Sequence, residues 1–266
     1  RSTLLGEAIP AYRGVCYAIM RNMYLGTSAR LKGLSFLVEN HPNTLGITGG
    51  KHIISAHRDA NAVCVLYEIF CNQQWGGAMP TALFDTDSWM AAANTAYAEG
   101  LGISMSLATM GLEDAVETIK KYLDAVVYED PETGLIMLNL VREADLVGAP
   151  SFGRSQVSEV SISRLGWADL RNTVKVTFTD PTRNYETGGV MARNSAATRA
   201  LGGAVDMESV DLPGFTGPDP AMRMAEQLLR SDGYPLSKVE IVGDRSLPHV
   251  INRYLNAAHD TVAATP

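Results

Sequence analysis

One stretch constrains the fold more than any other: residues 59–75, DANAVCVLYEIFCNQQW, followed at once by Gly76-Gly77. Val63, Leu66, Tyr67 and Phe70 recur at helical spacing and Ile69 widens the apolar stripe, so the segment predicts a helix that must bury a broad face. Asp59 stands where an N-cap belongs, its carboxylate suited to the orphan amide hydrogens of a first helical turn. The helix must stop near Asn72, because two glycines and the Met79-Pro80 pair cannot extend it. On periodicity alone this is an amphipathic helix docking on a sheet.

A chain of 266 residues can bury a substantial core around such a helix and is long enough for two or three domains. With 46% hydrophobic and 19% charged residues, its composition is that of a globular protein. No apolar run approaches the roughly 20 residues that span a bilayer, so no membrane anchor is expected. Arg1 opens the chain with neither an initiator Met nor a signal-peptide pattern, which reads as the cut edge of a longer protein. The three cysteines are an odd number, and Cys64 and Cys71 lie about two turns apart on the first helix; buried thiols suit them better than a disulfide framework. The formal charge of −7 argues against a nucleic-acid-binding surface, which needs clustered Lys and Arg. It leaves open an acidic wall past which nucleic acid slides.

Taken in order, residues 12–39 are β-rich. Val15, Tyr17 and Ile19 alternate with Cys16, Ala18 and Met20, all apolar, as in a strand covered on both faces. Leu34, Phe36 and Val38 read as a half-exposed strand, and loop material follows through Gly50. Residues 59–147 are mixed. A second helix over residues 87–99 presents Trp89, Ala93 and Ala96 and stops at Gly100; Ile103, Met105 and Leu107 alternate as a strand. A third helix from Thr109 or Gly111 sets Leu112, Val116, Ile119 and Leu123 on one face, and Asp130 to Gly134 is the turn of a β-hairpin. Beyond Pro150 strands return. Val160 and Ile162 alternate with serines, and Val174, Val176 and Phe178 alternate with Lys175, Thr177 and Thr179. Residues 193–203 suit a short helix or loop. Asp219-Pro220 opens a last helix carrying Met222, Ala225, Leu228 and Leu229, and residues 239–242 suit a short strand. Residues 257–266 read as a frayed end.

Several blocks carry a resemblance: PAYRGVCYAIMRNMYLG with LKGLSFLVE; Asn72-x-x-Trp75-Gly76; Ala98-Glu-Gly-Leu-Gly-Ile-Ser; Tyr128 to Leu135 around Asp130-Pro-Glu-Thr-Gly134; VSEVSISRLGW ending at Trp167; NTVKVTFTDPTRNY from Asn172; and the proline-then-helix block from Leu212 to Leu229. In order and spacing they resemble the central hub proteins at the tip of long phage tails, a group that includes the lambda-type host-specificity protein and tail hubs of prophages and gene transfer agents. The resemblance covers most of residues 10–230. It departs at Gly243-Asp244, where the family's Pro is missing, and beyond Pro248 the pattern is lost.

Catalytic and binding motifs fare poorly. Gly46 to Gly50 before Lys51 and His52 is one residue short of a phosphate loop, and His52 replaces the Ser or Thr that would hold magnesium. His41, His52 and His57 fit no zinc spacing. Asp85 and Asp87, and Glu129, Asp130 and Glu132, have the carboxyls a glycosidase needs, but one pair introduces a helix and the others line a turn. Trp75, Trp89 and Trp167 suit packing or a subunit seam better than a sugar platform. No catalytic, cofactor or metal residue is therefore assigned.

The resemblance implies an α+β chain: the end of a first β tube domain (1–56), an inserted α/β domain (57–150) and a second β-rich domain with a helix (151–266). It implies a non-catalytic hub ring in the virion, assembled in the host cytoplasm as a homotrimer. Its partners would be the distal tail protein, the tape-measure protein and receptor-binding or fibre proteins, with the genome passing a lumen that does not bind it. A tail-associated cell-wall hydrolase and a receptor- or glycan-binding module are the rival readings. An acidic or neutral lumen is expected, since rows of Lys and Arg would hold the polyanion by counterion release.

Overall fold

The structure, a computed structural model, describes residues 36–54, 57–107, 110–140, 142, 151–164, 170–200, 202–234, 237–243 and 256–258. Residues 1–39 and 40–266 are separate compact units. Of the first unit, residues 36–39 are described; Phe36, Leu37 and Val38 stand exposed with no strand pairing, contrary to the alternation read there. The other expected strand of this region, and Trp167, lie outside the described residues.

In the second unit, β1 (Ile53–Ile54), β2 (Asp59–Asn61) and β3 (Gly102–Ile103) form a small antiparallel sheet in that order. The first helix, α1 (Ala62–Cys71), starts two residues later than the sequence suggested. Its cap is Asn61, whose Oδ1 accepts the Val63 amide at 3.0 Å while Nδ2 donates to the carbonyls of Lys51 and Ala93. Asp59 is no cap: strand pairing takes it into the sheet. The helix does end at Asn72. Val63, Leu66, Tyr67 and Ile69 are buried, and so are Cys64 and Cys71 on other faces, so the helix is surrounded on most sides.

Helix α2 (Thr86–Glu99) is capped by Asp85, whose carboxylate accepts the Ser88 amide at 3.1 Å. It ends on Gly100 at φ +71°, the left-handed conformation glycine adopts without a Cβ clash. Tyr67, Phe84 and Trp89 meet edge to face with ring centroids 5.1–5.5 Å apart, locking α1 to the start of α2. The strand expected around Ile103 to Leu107 is only the two residues of β3.

Helix α3 (Leu112–Leu123) lies where the sequence placed it but is rotated. Ala115, Ile119, Tyr122 and Leu123 are buried, Val116 is half-buried and Leu112 is 43% exposed, because Tyr122 rather than Leu112 meets the rest of the core. The hairpin of β4 (Ala125–Glu129) and β5 (Ile136–Leu140) follows, with Asp130 closing its turn through Thr133 and Gly134 at φ +68°.

Beyond it come β6 (Ser151–Gly153), β7 (Val157–Arg164), β8 (Thr173–Asp180), β9 (Glu186–Arg193), α4 (Ser195–Ala200), β10 (Met207–Asp211), α5 (Pro218–Asp232), β11 (Ser237–Gly243) and β12 (Asn256–Ala258). Three make a sheet of order β10-β8-β9, β10 parallel and β9 antiparallel to β8. β7 pairs with β11, and β6 pairs with β12, so Ala257 and Ala258 lie in a strand at the start of the stretch read as a frayed end. Val174, Val176 and Phe178 point inward as the alternation requires. They pack in the core against α5, however, and among the described residues this sheet is open rather than closed into a barrel. The cap of α5 is Gly217, two residues before the expected Asp219. The chain is α+β, with one core running from α1 through α3 to β8 and α5.

Candidate functional site

Where the α1–β5 region meets the later sheet, a buried polar joint holds the two together. Strand pairing in β2 turns Asp59 inward at 4% exposure. Its Oδ1 accepts the Ser104 hydroxyl at 2.7 Å and its Oδ2 accepts the Thr216 hydroxyl, 157 residues away, at 2.5 Å. Hydrogen bonds to an ionised acceptor are the stronger kind, and a carboxylate this deep needs them. Gly102 lies so close that a Cβ there would come within 2.6 Å of the Asp59 Cβ. Next door, the Ser104 amide donates to the Gly214 carbonyl at 2.8 Å and the Gly214 amide donates to the Tyr122 hydroxyl at 2.9 Å. Tyr122 also meets Phe215 edge to face at 4.6 Å, and burial pushes its phenol up to about 12.

A second, half-buried tie joins the helix ends. Arg142 donates to both carboxylate oxygens of Glu99, at 2.7 and 2.9 Å, and to the Leu123 carbonyl at the end of α3. From α5, Arg223 donates to the Glu99 carbonyl and Gln227 to the Asp124 carboxylate. These contacts fix geometry; they carry no chemistry beyond it.

The residues weighed for catalysis are scattered. Asp85 caps α2, Asp87 lies in its first turn, Asp130 closes the hairpin turn, and Glu129 and Glu132 are exposed. In the glycine loop, Gly46, Gly49 and Gly50 take positive φ, and Lys51 donates to Asn94 at 2.5 Å instead of facing a phosphate nest. His41 bonds to the Arg58 carbonyl, His52 has a buried Nδ1 with no partner, and His57 is exposed. Among the described residues no three His, Cys, Asp or Glu side chains group as metal ligands. Cys64 and Cys71 are free and buried; desolvation lifts the Cys64 thiol to about 12 and raises Cys71 as well, which suppresses the reactive thiolate. Trp89 is buried with its indole nitrogen donating to the Ile136 carbonyl at 3.0 Å, whereas Trp75 is 44% exposed.

Sequence reasoning missed Asn61, Tyr122, Arg142 and Thr216. Asn61 had a signal: it directly precedes the apolar run, where an N-cap is equally at home. The other three act across distances that no local pattern reports.

A family model described as "Putative phage tail protein" matches residues 112–247, just over half of the chain. The chain belongs to this phage tail protein family. Among solved structures it is similar to a chain titled "Virion of native gene transfer agent (GTA) particle", with a TM-score of 0.55 and 13% identity. That match covers 82% of this chain but 46% of the other, so the chain spans about half the length of its structural relative, and at this identity the likeness is one of fold. No curated protein matches the sequence.

Proposed function

We propose that this protein is a structural, non-enzymatic part of the tail tip: a hub ring that closes the tail tube and links it to receptor-binding parts. The observation that carries this reading is the phage tail family match over residues 112–247, in a fold also found in a gene transfer agent virion. In this reading residues 57–150 are an inserted α/β domain between tube-forming β parts, and the contacts of Thr216 with Asp59, Arg223 with Glu99 and Gln227 with Asp124 keep insert and tube at a fixed angle. The hub is a homotrimer in the virion, put together in the host cytoplasm. It meets the distal tail protein at one end, holds the tape-measure protein in its lumen until ejection, and carries receptor-binding or fibre proteins beyond. Closed cyclic symmetry makes each seam heterologous, so every copy needs two different complementary patches.

The test is the mass of the chain in solution by light scattering, with particles viewed by electron microscopy. Rings of three copies are expected. A monomer at every concentration refutes the ring, and release of muropeptides from purified cell wall, lost on changing Asp85 or Glu129, refutes the non-enzymatic reading.

A further inference from the structure

We draw no further inference here: the strongest candidate, the outer edge of β9 in the three-stranded sheet, which pairs with no second strand among the described residues, carries nothing because nothing in the structure shows what covers it.

Discussion

The Asp59 joint permits a quantitative test. Thr216→Val keeps the shape of the side chain and removes the hydroxyl that donates to the Asp59 Oδ2 at 2.5 Å. Both partners are buried, Asp59 at 4% and Thr216 at 8% exposure, so water cannot replace the lost donor without opening the joint. A hydrogen bond to a charged group is worth about 1.5–3 kcal/mol. The loss should appear as a fall of that size in the unfolding free energy from urea titration, with the slope unchanged. In a chain of this length about 1 kcal/mol corresponds to roughly 2–4 °C in Tm. A double-mutant cycle with Asp59→Ala isolates the pair, and a coupling of about 1 kcal/mol or more is expected. Thr216→Val costing under about 0.5 kcal/mol, or a coupling indistinguishable from zero, would show that this hydroxyl does not support the buried carboxylate.

Three further outcomes are expected. Ile119→Ala, at a fully buried site, should cost about 2–5 kcal/mol in urea unfolding, whereas Leu112→Ala on the exposed side of the same helix should stay within about 1 kcal/mol; equal costs would contradict the rotated face. Burial raises Tyr67 and Tyr122 to about 12, so the native state holds protons that the unfolded chain gives up near pH 10; stability is whole below that point and lost as pH climbs toward 12. Absorbance titration of tyrosinate should show two late-ionising groups that Tyr67→Phe and Tyr122→Phe remove. In an assembled ring, the channel-facing residues should carry no more Lys and Arg than Asp and Glu; a net basic lumen would refute the free-passage reading.

Much was legible because it is local. The apolar stripe of α1 and its stop at Asn72, the Asp85 cap and Gly100 end of α2, and the alternation of β8 each follow from neighbours within a turn or along a strand. Motif order also pointed to a phage tail protein, as the family match found. The strands β9 and β10 left no such mark: both are edges of their sheet with mostly exposed residues, so neither needs an apolar alternation.

The sequence alone determined where the helices and the alternating strand β8 lie, since capping, periodicity and turn chemistry act over a few residues. Only the tertiary structure decided which face of α3 is buried, because that depends on where Gly214 and Phe215 arrive to meet Tyr122. It likewise decided that Asp59 is a buried link and Asn61 the cap. Both residue types can cap a helix, and the choice fell to pairing with β1 and β3 and to a hydroxyl 157 positions away. A buried carboxylate is stable only where distant donors converge on it, and that convergence exists only once the chain has folded.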